Sequence, residues 1–342
     1  MEFSFLDSHI RDNTWACVCG LIDNLDDGKV DEKLVIDQPK GVEEENEEKR
    51  QSLEQKDQQQ QMPRQFIATG GGRSDIRVSE IVIDEDFNAA FPLLYEHPVP
   101  SLGIHNMAIT PDGKTIATVS VDGLVSIVDV KQGVRFESIG MNIRNFWSVA
   151  FDPKGEFVYA GNGNGRVYKF IIDNGHLLQE YNSQRMQKII CVCSSTNDKY
   201  VASGDFEGCF TLYDSATSFV LKHIHFKKAL RSIVFIQEQS IFLAACDDHS
   251  VKIVNILDSE TEHTALMGHR SRVVSLDMSP DGRRFASGSS DGVVRVWDAR
   301  YNKCSITFIN SEKSRLWDVA FAKSNTLVAY VSSGKDQDVH YC

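Results

Sequence analysis

The sequence predicts an all-β protein built from one repeated unit, and two observations support this prediction. The first is a turn motif that precedes a strand and returns at a nearly constant interval. It occurs at residues 122, 164, 207, 248, 291 and 336, so successive copies are 41 to 45 residues apart. The second is that short β-prone runs alternate with Gly, Asp and Asn turns along this part of the chain. A period of about 40 to 45 residues is that of a β-propeller blade, which contains four strands.

The clearest repeat is the segment GHRSRVVSLDMSPDGRRFASGSSDGVVRVWDAR, at residues 268–300. Its first strand begins near Val273, its second covers Phe285 to Ser289, and its third runs from Val293 to Asp298. Turns built on Pro-Asp-Gly and Asp-Gly separate these strands. With its Gly-His opening and Trp-Asp close, the segment has the pattern of one complete WD-repeat blade.

Four polar or aromatic residues of this blade match the buried relay of WD-repeat proteins. They are His269, Ser287, Asp291 and Trp297. In that relay the Asp ties a turn to the His, and the Trp indole finds a hydrogen-bond partner. We therefore expect these four side chains to stabilise the blade and to take no part in catalysis.

The count of repeats predicts a seven-bladed WD-repeat propeller that forms a single domain over residues 1–342. A degenerate first blade uses Gln65 to Gly72 as its second strand and Ile76 to Ile81 as its third. The chain stops at Cys342, at the end of a third strand, while Glu2 to Leu6 has the alternation of a strand. We expect this N-terminal strand to close the last blade, because a closed ring leaves no unpaired sheet edge.

One segment interrupts the repeat. Residues 21–64, between the first two strands of blade 1, contain GVEEENEEKRQSLEQKDQQQQ. They hold 13 Asp and Glu against 7 Lys and Arg, a net charge of −6 out of −12 for the chain. We expect this insert to be disordered, because it has too little apolar surface to offset the cost of ordering. It is either an acidic tether for a basic partner or a solvated expansion.

Composition and motifs argue against several classes of function. The chain is acidic and lacks a stripe of Lys and Arg, so we expect no direct nucleic-acid binding. No apolar run approaches the eighteen or so residues of a membrane span, and the N-terminus lacks the features of a signal peptide. We therefore expect an intracellular protein with reduced cysteines. The pairs Cys17/Cys19 and Cys191/Cys193 are closer together than the usual zinc ligands. We expect no catalytic residue, metal or cofactor.

A candidate binding surface emerges when the first strands of the blades are aligned. The aligned entry position holds Trp15, His105, Trp147, Ile190, Arg231, Val274 and Trp317. In a propeller this position lies at the rim of the central channel. Trp and Arg are the residues that most often dominate binding energy at interfaces, so we predict a partner-binding channel mouth. Its predicted binding residues are Trp15, His105, Trp147, Arg231 and Trp317. The alternative is that these Trp side chains pack between blades.

Several motifs resemble one family of WD-repeat proteins. These motifs are the strand starts NTWACVCG, NFWSVAF, ALRSIVF and RLWDVAF, the turn ASGDFEG and the ending DQDVHYC. They are similar to those of the WD-repeat subunits of the superkiller (Ski) complex. Those subunits are also similar to a subunit of the RNA-polymerase-associated Paf complex. The resemblance covers all seven blades and excludes the insert. The relay is intact only in blade 6. The position of Trp297 is taken in the other blades by Ser79, Val128, Phe170, Tyr213, Val254 and Cys342.

The resemblance implies a non-enzymatic scaffold that joins an RNA helicase to a tetratricopeptide-repeat protein. Such a scaffold supports 3′-to-5′ decay of cytoplasmic mRNA by the exosome, and a second role lies beside transcribing polymerase in the nucleus. Two alternatives stay open. One is another WD-repeat adaptor, such as a ubiquitin-ligase substrate receptor or a chromatin reader. The other is a propeller enzyme or small-ligand binder, which would place converging carboxylates, His or metal ligands at the channel.

Overall fold

Antiparallel four-stranded sheets arranged as a β-propeller make up most of the structure. The described residues contain seven such sheets and one two-stranded ladder. No helix among the described residues is long and apolar enough to cross a membrane. The computed structural model describes residues 2–4, 14–22, 64–72, 75–83, 89–99, 102–136, 138–139, 143–236, 240–257, 264–310, 314–333 and 338–341.

Blades 1 to 3 follow each other along the chain after strand β1 (Glu2–Ser4). Blade 1 consists of β2 (Thr14–Ile22), β3 (Arg64–Gly71), β4 (Asp75–Glu80) and β7 (Leu93–Pro98), with a small ladder of β5 (Val82–Ile83) and β6 (Ala89–Ala90) between its last two strands. Blade 2 consists of β8 (Ile104–Ile109), β9 (Thr115–Ser120), β10 (Val125–Asp129) and β11 (Gly133–Phe136). Blade 3 consists of β12 (Phe146–Phe151), β13 (Phe157–Asn162), β14 (Arg166–Ile171) and β15 (Leu177–Asn182).

Blades 4 to 6 repeat the same order of strands. Blade 4 consists of β16 (Ile189–Ser194), β17 (Tyr200–Asp205), β18 (Cys209–Asp214) and β19 (Val220–His225). Blade 5 consists of β20 (Leu230–Ile236), β21 (Ile241–Cys246), β22 (Ser250–Asn255) and β23 (Ala265–Met267). Blade 6 consists of β24 (Val273–Met278), β25 (Arg284–Ser289), β26 (Val293–Asp298) and β27 (Lys303–Ile309).

The remaining four-stranded sheet, here called the composite sheet, joins strands from distant parts of the sequence. It contains β28 (Leu316–Phe321), β29 (Leu327–Ser332) and β30 (Asp338–Tyr341). Strand β1 pairs antiparallel with β30, with Phe3 opposite Val339. The segment predicted to pair in this way extends to Leu6, and its last two residues lie outside the described residues.

The hydrophobic core lies between neighbouring sheets. The first strand of each sheet is adjacent to the first strand of the next, and β2 is adjacent to β28. Each of seven buried clusters in the described residues combines side chains from two neighbouring sheets. One of them packs Cys17 and Ile67 of blade 1 against Ala320 and Leu327 of the composite sheet. Blade 1 and the composite sheet are therefore packed against each other as closely as consecutive blades are.

The middle strands are rich in small residues because both of their faces are covered. In β17 and β25 every residue after the first is buried. Strands buried on both faces have no polar face and therefore read as nearly continuous apolar or small-residue runs. Sequences such as VASGD and FASGS follow from this packing.

The predicted strand positions of blade 6 agree closely with the structure, and blade 1 differs at its edges. The predicted third strand of blade 6 coincides with β26, and the second starts one residue earlier than predicted, at Arg284. In blade 1, β2 extends to Ile22 and β3 begins at Arg64, so both ends of the predicted insert belong to strands. Residues 23–63 lie outside the described residues. The β5–β6 ladder was absent from the sequence prediction, because its two-residue strands have no periodicity to detect.

Candidate binding site at the channel mouth

The first strand of each sheet has one extra residue near its start. In all seven first strands the pairing register shifts there by one residue. The extra residues are Trp15, His105, Trp147, Ile190, Arg231, Val274 and Trp317. Such a β-bulge leaves its extra residue unpaired and changes the direction of that side chain. The residues that sequence alignment placed at one position are thus the bulge residues of the seven first strands.

Six of these side chains line one cavity of about 540 Å³, here called the channel mouth. They are His105, Trp147, Ile190, Arg231, Val274 and Trp317. Arg272, Ser290, Arg315 and Asp318 also border it. The side chain of Trp15 lies outside the described residues, although its backbone belongs to β2. The structure therefore brings four of the five predicted binding residues to the same cavity.

Trp147 is held in place by contacts on several sides. Its Nε1 donates a hydrogen bond to Asn145 Oδ1 at 2.8 Å. The Lys188 ammonium lies 3.4 Å from the centre of the Trp147 ring, which is a cation–π contact. The centres of the His105 and Trp147 rings are 5.4 Å apart. The indole is therefore half-buried and oriented before any partner arrives.

His105 contributes a polar atom without a partner in this part of the structure. Its Nε2 lies 3.2 Å from the Trp147 carbonyl oxygen. Its Nδ1 is buried and has no hydrogen-bond partner among the described residues. Burial lowers the pKa of His105 below its ordinary value, and the charge of Lys188 lowers it further. Both effects favour the neutral form of the His105 ring.

Arg231 is already paired inside the chain. Its Nε and Nη2 donate to the two carboxylate oxygens of Asp247 at 2.9 and 2.7 Å. These hydrogen bonds raise the pKa of Arg231. The guanidinium also lies 5.4 Å from the centre of the Phe206 ring, a side chain that is 53% exposed. Because its charge is neutralised, Arg231 offers a flat, fixed surface more than a free cation.

Trp317 is the most accessible of the described bulge residues with aromatic side chains. It is 43% exposed, whereas the relay residue Trp297 is 3% exposed. Bulky side chains this accessible at the rim of a cavity are typical of binding surfaces. The alternative prediction, that the Trp residues of this position fill the core between blades, does not describe Trp317.

Below the mouth, buried carboxylates fasten neighbouring first strands to each other. Asp318 accepts hydrogen bonds from the Cys17 amide at 3.0 Å and from the Ser275 hydroxyl. Asp277 accepts one from the Phe321 amide at 2.6 Å. Burial raises the pKa of Asp318 to about 6 and that of Asp277 to about 7, and the charge of Asp318 contributes to the latter shift. These carboxylates join blade 6, the composite sheet and blade 1, and they border a second cavity of about 400 Å³ along the channel.

The relay residues of blade 6 lie together beside the core. The Ser287 hydroxyl is 2.8 Å from both His269 Nε2 and Trp297 Nε1. Asp291 accepts from the Arg270 amide at 2.7 Å and lies 3.4 Å from His269 Nδ1. Burial would raise the pKa of Asp291, but His269 and the Arg270 amide lower it to about 2.

A partial relay also occurs in blade 4, where the sequence prediction found none. Tyr213 occupies the position of Trp297, and its hydroxyl lies 3.2 Å from the Ser203 hydroxyl. Tyr213 is fully buried, as expected for a side chain that replaces the indole in the core. The phenol thus reaches the same serine position that the indole reaches in blade 6.

The cysteines of the blade 4 pair contact backbone carbonyl groups. In the described part of the chain, no group of three or more His, Cys, Asp or Glu is placed to hold a metal ion. Cys191 Sγ donates to the Leu230 carbonyl at 3.1 Å. Burial raises the pKa of Cys191 above its ordinary value and that of Cys193 to about 12, so both stay protonated at neutral pH.

Sequence reasoning missed several residues of the mouth or its rim, among them two arginines and the two residues that hold Arg231. Phe206 and Asp247 are contacted by Arg231, and Arg272 and Arg315 border the cavity directly. The sequence alignment could have found Arg272 and Arg315, because each stands two residues before the bulge residue of its strand. Phe206 and Asp247 had no such signal, because each lies in a turn that is 16 or more residues from Arg231 of β20 in the sequence.

Comparison with known proteins supports a WD-repeat protein. Residues 260–298 match the family WD domain, G-beta repeat. U3 small nucleolar RNA-associated protein 21 of Saccharomyces cerevisiae is 27% identical over 157 residues, which are 46% of this chain and 16% of the relative. An uncharacterized WD repeat-containing protein of Schizosaccharomyces pombe is 24% identical over 203 residues, 55% of this chain and 50% of the relative. Ribosome biogenesis protein YTM1 of Lodderomyces elongisporus is 37% identical over 86 residues, 24% of this chain and 17% of the relative. The chain thus spans half or less of each of these three relatives.

Proposed function

We propose that this WD-repeat β-propeller is a non-enzymatic interaction scaffold that binds a protein partner at the channel mouth. The observation that supports this most directly is the common position of the bulge residues, which point six described side chains into one cavity. Propellers of this family generally bind proteins. Among the described residues, the cavity lining has one histidine, His105, and one carboxylate, Asp318, and no group of three or more His, Cys, Asp or Glu is placed to hold a metal ion.

For the identity of the partner, we propose a Ski-type or Paf-type assembly. This assignment rests on the resemblance of the strand starts, with a tetratricopeptide-repeat protein and an RNA helicase as partners. It predicts action in the cytoplasm through mRNA decay and in the nucleus through transcription elongation. None of the three relatives described above bears the name of a Ski or Paf subunit, so the resemblance is its only support.

Ribosome biogenesis is a second candidate, favoured by the names of two relatives. One is associated with U3 small nucleolar RNA, and the other is a ribosome biogenesis protein. This assignment predicts a nuclear or nucleolar protein with other proteins as partners. The two candidates share the channel mouth as binding site and differ in the partner that occupies it.

The test is affinity capture from native extract, followed by binding measurements with the captured protein. Trp147→Ala and Trp317→Ala should each weaken binding by about 2 kcal/mol or more, because aromatic residues at such positions are hot spots. Arg231→Glu should weaken it more than Arg231→Ala when the partner segment is acidic. Recovery of a tetratricopeptide-repeat protein with a helicase supports the Ski assignment, and recovery of ribosome assembly factors supports the second candidate.

The matched control is Tyr301→Ala. Tyr301 is 71% exposed and follows β26 at the end of the blade opposite the mouth. Its loss should leave binding unchanged. Circular dichroism must show that all variants are folded. If folded Trp147 and Trp317 variants bind the captured partner normally, the channel mouth is not the binding site, and the opposite face should be tested next.

We further propose that the composite sheet is the seventh blade and that β1 completes it. The pairing of β1 with β30 and the packing of blade 1 on this sheet support that arrangement. Deletion of Met1 to Ser8 should expose the edge of β30 and lower the melting temperature. A truncated protein that unfolds cooperatively near the full-length temperature would contradict this closure.

A further inference from the structure

The charges around the channel mouth are distributed unevenly. On the side of blades 3 to 5, Lys188 lies on the Trp147 ring and Arg231 is paired with Asp247. On the side of blade 6 and the composite sheet stand Arg272 and Arg315. Neither guanidinium has an ion pair or hydrogen bond within the described part of the chain, and both residues are exposed. The two free cations of the cavity are therefore on one side.

The backbone fixes the positions of these two arginines. Each stands two residues before the bulge residue of its strand, Val274 in blade 6 and Trp317 in the composite sheet. The Arg272 carbonyl accepts a hydrogen bond from the Ser290 amide at 2.9 Å, and the Arg315 carbonyl accepts one from the Ser333 amide at 2.8 Å. Because β24 and β28 are neighbouring first strands, the two arginines are equivalent residues on adjacent sheets.

The carboxylate that lines the cavity forms no ion pair with them among the described residues. Asp318 borders the mouth, but its oxygens accept hydrogen bonds from the amides of Cys17 and Val319 and from the Ser275 hydroxyl. Those donors hold the carboxylate toward the wall between the strands. In a chain of net charge −12, two unneutralised guanidinium groups beside an exposed indole are a local reversal of charge.

We propose that this side of the mouth binds an acidic peptide segment of the partner. One or two Asp or Glu side chains bind Arg272 and Arg315, because guanidinium groups form strong, directional hydrogen bonds with carboxylates. An apolar side chain of the same segment packs on Trp317 and Val274. This inference rests on the proposed function, since it assigns the chemistry of the partner at the same site.

A peptide fits these observations better than a nucleic acid does. Binding of a phosphate backbone needs a row of cations along the surface, whereas the described residues place two free cations, Arg272 and Arg315, at this cavity. The cavity, at about 540 Å³, is large enough for a few side chains. An acidic peptide is also repelled by the rest of this acidic chain, so the two arginines would determine where it binds.

The experiment selects peptide ligands directly. A library of short random peptides displayed on phage is panned against the full-length protein, and the enriched sequences should carry Asp or Glu next to an apolar residue. The best peptide is then labelled, and its Kd is measured by fluorescence anisotropy at low and high salt. Arg272→Glu combined with Arg315→Glu should weaken binding by at least about tenfold, because each carboxylate contact becomes repulsive. Replacement of the peptide acids by Asn or Gln should have a similar effect.

Arg283→Glu is the matched control. Arg283 is exposed and lies in the turn after β24, at the opposite end of the strand that follows Arg272. It makes, away from the mouth, the same charge reversal as each of the two substitutions at Arg272 and Arg315, and it should leave the Kd within about twofold. The charge-reversal variant must keep the wild-type melting temperature, and the milder pair Arg272→Gln and Arg315→Gln provides a second measurement if it does not.

The outcomes separate this inference from the proposed function. Enriched peptides without acids, or equal binding by the charge-reversal variant, overturn the acidic-peptide inference. If those peptides still lose affinity with Trp147→Ala or Trp317→Ala, the proposed binding site stands. If labelled oligouridine RNA binds and competes with the peptides, the ligand class is a nucleic acid and the inference is wrong.

Discussion

Replacement of Gly161 by Ala tests how tightly the blades pack around the channel. Gly161 lies on β13 opposite Ser148, immediately after the bulge at Trp147. A Cβ atom on Gly161 would lie 2.5 Å from Ser148 Oγ, 2.6 Å from Ile189 Cγ2 and 2.9 Å from Val192 Cγ2. The last two residues belong to β16, the first strand of blade 4. The added methyl group would therefore act as a wedge between two blades.

The size of the effect follows from these distances. Carbon atoms in contact are normally separated by about 3.5 to 4.0 Å, so Ile189 and Val192 must each move by roughly 1 Å. Overpacking of this kind costs about 1 to 3 kcal/mol. We expect a loss of about 2 kcal/mol in the free energy of unfolding, which lowers the Tm of a domain of this size by roughly 3 °C.

The assay is thermal and urea unfolding followed by circular dichroism. The control is Gly282→Ala, at a turn position with φ of +68° and no atom within 4 Å of the new Cβ. It measures the backbone strain of a left-handed residue, about 1 kcal/mol, without a clash. Combining Gly161→Ala with Val192→Ala should cost less than the sum of the two single losses, because Val192→Ala removes one of the clashing atoms.

Two results would refute this reasoning. The first is a Gly161→Ala protein that unfolds at the wild-type temperature. The second is strict additivity in the double variant, which would show that the two sites do not touch. Either result would mean that blades 3 and 4 are further apart than the structure shows.

Three other predictions concern the relay, the buried acids and the insert. Trp297→Ala should lower the free energy of unfolding by about 3 to 5 kcal/mol. Trp297→Phe can keep the stack on Phe285 and loses the hydrogen bond to Ser287, so it should cost about 1 kcal/mol for that bond. Equal losses of the two variants in urea unfolding would contradict this. Because burial raises the pKa of Asp277 to about 7 and that of Asp318 to about 6, above the ordinary 3.8, the folded protein binds protons that the unfolded chain does not. Stability from these two groups should therefore increase as the pH falls from about 8 to about 4, and Asp277→Asn should flatten that slope in urea unfolding at several pH values. Removal of residues 23–62 with a short turn in their place should leave Tm nearly unchanged in calorimetry, since their composition favours disorder; a large drop would show that the segment packs on the propeller.

The sequence alone determined the features that depend on local pattern. The 41 to 45 residue spacing located the repeated turns, and the alternation around Val293 to Asp298 located a strand to the residue. Alignment of the first strands found the position of Trp147, Arg231 and Trp317. These features are visible because strand formation and turn type depend on residues that are close in sequence.

The tertiary structure decided what those residues do at the channel. Only the strand pairing showed that each aligned residue is a bulge residue, and only the loop geometry showed that Arg231 is neutralised by Asp247 while Arg272 and Arg315 are free within the described residues. The contact between Cys17 and Asp318 joins residues 301 positions apart. Local propensity cannot encode such contacts, because they form only when the sheets pack side by side and bring distant strands into register.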